Sequence, residues 1–241
     1  MFHSRQRARF ILALAFCAVA AVFAQAHAQG IGQGPLVTIK LADMGGESSS
    51  PDVRHIADWA VNSGDHAGLP FAIVDKLDGR VFVFDAQGRL RGATTALVGS
   101  ARGDEAAPDI GTRPISAIRP EERITPAGRF NAVMGKGPKG EDILWVDYDS
   151  ALALHRVVTH VPQERRLQRL QSKVPADRRI TYGCINVPVQ FYDNVVRTTF
   201  GEARGVVYIL PESRRAQELF GSYEVRGTFP QNPASAPPAV H

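Results

Sequence analysis

The chain has 241 residues, of which 44% are hydrophobic, 22% charged and 8% aromatic. That composition excludes a wholly disordered chain, a collagen-like repeat and a polytopic membrane protein. The formal charge of +4 comes mostly from Arg5, Arg7 and Arg9; beyond residue 28 the balance is 25 basic to 24 acidic side chains, which gives no electrostatic argument for a nucleic-acid partner.

Residues 1–28 read as a secretory signal peptide. A basic start is followed by an apolar run over 10–24 and then by the small-residue site Ala26-His27-Ala28. The run is short for a membrane span, so no stable membrane insertion is expected after cleavage; the competing reading is an uncleaved anchor. Phe16 stands where lipidation of Cys17 would want a small residue. With Cys17 removed, Cys184 is the remaining thiol of an exported chain. An odd thiol there signals an intermolecular bridge, a reactive nucleophile or a small buried hydrophobe.

Residues 29–68 read as a Gly- and Ser-rich linker with a strand over 36–41, then a short amphipathic helix. Ser50-Pro51-Asp52 is a helix start, with cap, proline and first-turn acid in order. Val53, Ile56, Ala57, Ala60 and Val61 share one helical face, and Gly64 can end it.

From residue 69 the period changes to that of strands. Runs at 71–74 and 81–84 flank the hairpin signal Asp78-Gly79. Further strands are expected at 93–98, 129–134, 143–148, 151–158 and 205–210. Helices are expected at 162–171, 188–200 and 212–220. Gly135-Lys136-Gly137-Pro138-Lys139-Gly140 lacks the spacing of a phosphate loop and reads as a hairpin. Residues 230–241 carry four prolines and read as a disordered tail. The expected fold class is mainly β with a few helices (α+β), as a β-sandwich or barrel over 69–212, followed by a C-terminal helix and Pro-rich tail over 213–241.

The sharpest local signal is Thr181-Tyr182-Gly183-Cys184-Ile185-Asn186. Gly183 lets a substrate approach the backbone, and adjacent N–H groups can hold an oxyanion. A helix starting soon after Cys184 would lower the thiol pKa. A thiol nucleophile also needs a base, for which His155 and then His160 are the candidates; a histidine in a strand such as 151–157 can equally be structural. Trp59 and Trp145 read as core anchors. His55 and His66 have no partners at metal-ligand spacing, so neither metal nor cofactor is proposed. No oligomer can be argued.

The hexapeptide resembles the S/T-H-G-C-x-N signature of the L,D-transpeptidase catalytic domain, the YkuD-like family. Four other segments resemble that family in order: the hairpin Val81-Phe82-Val83-Phe84-Asp85-Ala86-Gln87-Gly88, Thr125-Pro126-Ala127-Gly128-Arg129-Phe130, Leu154-His155-Arg156, and Gly205-Val206-Val207-Tyr208-Ile209-Leu210. The resemblance implies an L,D-transpeptidase acting on peptidoglycan stem peptides in the periplasm. By it, Cys184 is the nucleophile and His155 the general base. The Arg156 carbonyl orients His155, Gly183 and Cys184 N–H groups hold the oxyanion, and Asn186 braces the loop. Tyr182 replaces the family's histidine. His155 lies 29 positions before Cys184, further than in the compact family motif, and the excess is basic: Arg165, Arg166, Arg169, Lys173, Arg178 and Arg179. These read either as a solvated face or as contacts to stem-peptide carboxylates. Water in place of the amine acceptor would make an L,D-carboxypeptidase. Lost chemistry would leave a non-catalytic wall-binding protein. A depressed Cys184 pKa would favour an enzyme, and one at or above the free-thiol ~8.5 a binder.

Overall fold

A computed structural model describes residues 39–201 and 204–225. The signal-peptide reading of 1–28, the first half of the 36–41 strand and the tail at 230–241 therefore lie outside the described residues. At 39–41 there is no strand; a single bridge joins Asp43 to Arg89.

Helix α1 (Pro51–Ser63) forms where the sequence signals it. The Ser50 hydroxyl accepts from the Val53 N–H at 3.3 Å, and Gly64 closes the helix in the left-handed region at φ 74°. Its buried face is Val53, Ile56, Ala57, Trp59, Ala60 and Val61.

Ten strands follow: β1 (Phe71–Asp75), β2 (Arg80–Phe84), β3 (Leu90–Thr95), β4 (Val98–Gly99), β5 (Gly128–Lys136), β6 (Asp142–Asp147), β7 (Leu152–Arg156), β8 (Arg179–Thr181), β9 (Ile185–Val187) and β10 (Arg204–Ile209). Eight form one sheet in the order β3-β2-β1-β10-β5-β6-β7-β9, and β4 pairs with β8. The sheet is nearly closed. Leu97, just past edge strand β3, exchanges backbone hydrogen bonds of 2.8 and 2.9 Å with Asn186 of edge strand β9. The architecture is mixed α/β, built on one large curled sheet rather than on two facing sheets.

In β1 and β2 the runs 71–74 and 81–84 are apolar on every residue because both faces are covered. Ala72, Val74, Val81, Val83, Val207 and Ile209 point to one core, with Leu144, Leu154, Ile185, Tyr192 and Phe200. Phe71, Ile73, Phe82, Phe84, Val206 and Tyr208 point to the other, which α1 covers. Successive residues of a strand face opposite ways, so one continuous hydrophobic run fills two cores.

Three expectations shift. The 162–171 helix is two pieces, a 3₁₀ turn Pro162–Glu164 and α2 (Arg166–Gln171), broken at Arg165 with φ 50°. The 188–200 helix is α3 (Val189–Phe191), a π turn Tyr192–Val196 and α4 (Arg197–Phe200). The π turn puts Tyr192, Val196 and Phe200 fully into the core and leaves Phe191 and Val195 at its margin. The 212–220 helix is only α5 (Ala216–Phe220).

Phe200 is fully buried, and a Cβ on Gly205 would come within 2.2 Å of its ring. Phe200→Ala is expected to lower unfolding stability by about 3–5 kcal/mol in a urea titration. A loss under about 1 kcal/mol would contradict this packing.

Candidate active site

The site depends on one pairing. β7 and β9 run parallel, with Leu154 beside Ile185 and His155 beside Asn186. Leu154, Ile185 and Val187 face the core. His155 and Asn186 therefore share the opposite face, and Cys184, two residues before Asn186, meets the same side. His155 and Cys184 both line a cavity of about 350 Å³. Its walls are mostly aliphatic and include Ile110, Ile118, Ile124 and Trp145, with Glu122, Glu141 and Arg113 among them.

A buried ion cluster holds the loop that carries Cys184. Lys76 donates to Gly103 O at 2.6 Å, Asp104 Oδ1 at 2.8 Å and Thr125 O at 2.9 Å. Asp104 also accepts from the Glu212 N–H and from Ser213, while Arg179 pairs with Glu212. Burial pushes the Lys76 ammonium below its ordinary value against the pull of Asp104. Burial alone would raise Asp104, but the Lys76 ammonium and three further hydrogen bonds, from Glu212 N–H and from the Ser213 hydroxyl and N–H, hold it far below the usual carboxylate range.

The cluster fixes Thr125, whose hydroxyl accepts from Gly99 N at 2.8 Å and donates to Gly183 O at 2.6 Å. Thr181 grips the same turn, donating to Cys184 O at 2.7 Å and accepting from Gly183 N at 3.2 Å. Gly183 sits at φ 138°, and a Cβ there would meet Ile124 O at 2.9 Å, so glycine is required twice over. The Gly183 N–H proposed for an oxyanion is thus engaged, by a long bond, in the ligand-free state.

The imidazole is tightly specified. His155 Nδ1 lies 2.8 Å from Arg156 O, and Nε2 lies 3.2 Å from Asn186 Nδ2. Since a carbonyl only accepts, Nδ1 carries the proton and Nε2 holds the lone pair. Asn186 is a strand residue, and its side chain braces this ring rather than a loop. Burial drives His155 below its ordinary 6.5; the Arg156 carbonyl pulls it back up, and the Arg166 charge lowers it further.

Cys184 departs from expectation. Burial raises its thiol above the ordinary 9.0, opposed by a backbone contact at Ala153 and by the Arg166 charge. The three-residue helix α3 begins five residues later and does not offset this. Sγ sits 3.6 Å from Ala151 O, while the imidazole bonds Asn186. Thiol and imidazole are both neutral at pH 7 and are not joined as an ion pair.

The other expected residues lie as follows. The Tyr182 ring lines the cavity under the Arg123 guanidinium, 4.2 Å from its centroid. The Arg156 side chain turns away from the site to Asp142 and Asp193, over the Tyr192 ring. His160 is exposed past the end of β7. Trp59 is core, but Trp145 is cavity wall, stacked on Tyr148 at 4.8 Å between centroids. Most of the basic insertion is spent on the protein itself. Arg169 binds Glu164 O and Asp177 O, Arg178 binds Asp78 O and Ser172 O, and Arg179 binds Lys76 O and Glu212.

Sequence reasoning missed β8 and β9, the Lys76 cluster, and Thr125 and Arg166 as site supports. Ile185 and Val187 alternating about Asn186 were the available signal for β9. The chain matches no known family model and no curated protein sequence.

Two outcomes are expected. The thiolate absorbance of Cys184 near 240 nm should titrate with a midpoint above 9.0; a midpoint near 7 would contradict the buried neutral thiol. Thr125→Val should cost about 1–3 kcal/mol of stability, because it strands Gly99 N and Gly183 O. Unchanged stability would show that the hydroxyl holds neither.

Proposed function

We propose that this chain is an exported cysteine acyltransferase of the L,D-transpeptidase type that acts on peptidoglycan stem peptides in the periplasm. The observation that carries this reading is the β7/β9 register, which sets a thiol and a singly protonated imidazole on one wall of a peptide-sized cavity. The five family-like segments supply the substrate class.

In the first half-reaction, Cys184 Sγ attacks the carbonyl of the third stem residue. As the S–C bond forms, the thiol proton passes to His155 Nε2, which exchanges Asn186 for Sγ. Nδ1–H stays on Arg156 O and stabilises the imidazolium. The tetrahedral oxyanion takes the Cys184 N–H, and the Gly183 N–H if its 3.2 Å bond to Thr181 gives way. Collapse breaks the C–N bond, and Nε2–H protonates the departing D-alanine amine. In the second half, Nε2 accepts a proton from the acceptor amine as it attacks the thioester, then returns it to Sγ. The base acts in its neutral form and Cys184 needs no preformed thiolate. A stem peptide also brings free carboxylates. Arg113 lines the cavity, pairs with Glu122 through Nη1, and has Nε and Nη2 without an acceptor among the described residues.

A second reading, a non-catalytic wall-binding protein of the same fold, is favoured by the raised thiol and by Tyr182 in place of histidine.

Disaccharide-tetrapeptide muropeptides, followed by mass spectrometry with Cys184→Ala as control, separate the readings. Cross-linked dimers absent from the control are expected. Loss of D-alanine without dimers would make the enzyme a carboxypeptidase. No Cys184-dependent product would favour the binder. The acid limb of kcat/KM should report His155, with a midpoint below 6.5, because activity needs the neutral ring and burial disfavours its protonation. A midpoint above 6.5 would assign the base elsewhere.

A further inference from the structure

Arg166 opens α2 in the basic insertion, yet its side chain is largely buried, with 13% exposed. Nε is held by Glu164 Oε2, and Nη1 donates to Asn186 Oδ1 at 2.7 Å. The Arg169 guanidinium pins Glu164 O at 2.8 Å and so fixes the turn from which this pair projects. The backbone of Asn186 cannot move aside. The residue is 1% exposed, and its backbone is bonded in both directions to Leu97.

A guanidinium only donates, so Arg166 must face the amide oxygen. That leaves the amide NH₂ to face His155 Nε2. A flipped amide would set two donors against each other at Arg166 and require a proton on Nε2. The chain of contacts therefore runs from Arg166 through Asn186 to the ring, and from the ring to Arg156 O.

We propose that Arg166 is a positioning residue: by fixing the amide of Asn186 it holds the amide NH₂ against His155 Nε2, and so keeps the ring whose tautomer the Arg156 carbonyl sets, with Nε2 unprotonated, in place on the Cys184 side of the sheet. The role rests on the enzymatic reading for its purpose, but its effect on the ring can be read without turnover. Arg166 is not in the wall of the cavity that holds Cys184 and His155. It acts through Asn186, and a substrate contact is not required.

The charged and titratable groups around the ring are Arg166 from the insertion, Glu141 just before β6, Cys184 before β9 and Arg156 on the ring's own strand. Of these, Arg166 disfavours protonation of His155 and favours the Cys184 thiolate. Its removal should raise both midpoints together.

The test uses Arg166→Ala, Arg166→Lys and Arg166→Gln in the full chain. The first readout is the ¹⁵N spectrum of the His155 ring and the Asn186 amide, which shows whether Asn186 Nδ2–H donates to Nε2. The second is the pH midpoint of Cys184 alkylation by iodoacetamide. The third is the split between kcat and KM on muropeptides.

In Arg166→Ala, the Asn186 Nδ2–H bond to Nε2 is expected to be lost, the alkylation midpoint to rise, and kcat to fall about tenfold to a hundredfold with KM little changed. Arg166→Lys, which still only donates and keeps the charge, should keep that bond and the alkylation midpoint near wild type. Arg166→Gln, which can accept as well as donate and is uncharged, should weaken the bond and raise the midpoint. If Arg166→Ala is too unstable to assay, the lysine and glutamine variants decide alone. An Asn186 bond to Nε2 that is unchanged in the alanine or glutamine variant overturns the proposal. So does a loss that falls on KM alone. If the wild-type protein turns over no muropeptide, the acyltransferase reading fails, and the ring spectrum still tests Arg166.

Discussion

The parallel pairing of β7 with β9 is the constraint on which the rest of the site depends. A strand only three residues long cannot hold its own register (two-stranded pairings are marginal). It is held from both sides, by β7 along one edge and by Leu97 along the other. Ile185 and Val187 are buried in the core and forbid a one-residue slip, since that would turn both outward. The same register sets Asn186 against His155 and delivers Cys184 to their face. Closure of the sheet and construction of the site are thus one event.

The loop that carries Cys184 is set from below by charge rather than by packing. Lys76 leaves a strand of five buried residues and finds its partners in three separate segments: Gly103 and Asp104, Thr125, and Glu212. A buried charge left without its partner is strongly unfavourable, so these segments are held to one arrangement. Through the Thr125 hydroxyl that arrangement reaches the Gly183 carbonyl. Above the loop the electrostatics run the other way. Burial favours the neutral forms of both the thiol and the imidazole.

Much of this was legible in the chain. Local rules sufficed for α1, whose cap, proline, apolar face and terminal glycine are contiguous, and for the β1–β2 hairpin around Asp78-Gly79. Cys184, His155 and the Arg156 carbonyl were readable as a group, because the segments carrying them resemble one family in one order. Other features were not legible because they are set by distant partners. Nothing near Lys76 announces Asp104 or Glu212. Arg166 sits among five other basic residues of the insertion, and only the fold singles out the one that reaches Asn186. The upward push on the thiol was not legible for the same reason: a helix start is visible in sequence, whereas desolvation of the sulfur at the cavity wall is not. Trp145 looked like core because alternation in β6 cannot say that one face of that strand opens to a cavity.

The central claim is that Cys184 becomes acylated with His155 as its base. Rapid acid quench of the protein with a disaccharide-tetrapeptide, followed by intact mass and peptide mapping, reads that step directly. The expected result is a tripeptide thioester on Cys184, formed with release of D-alanine, and formed far more slowly in His155→Gln. Absence of any adduct on Cys184, or an adduct whose rate ignores His155, would contradict it.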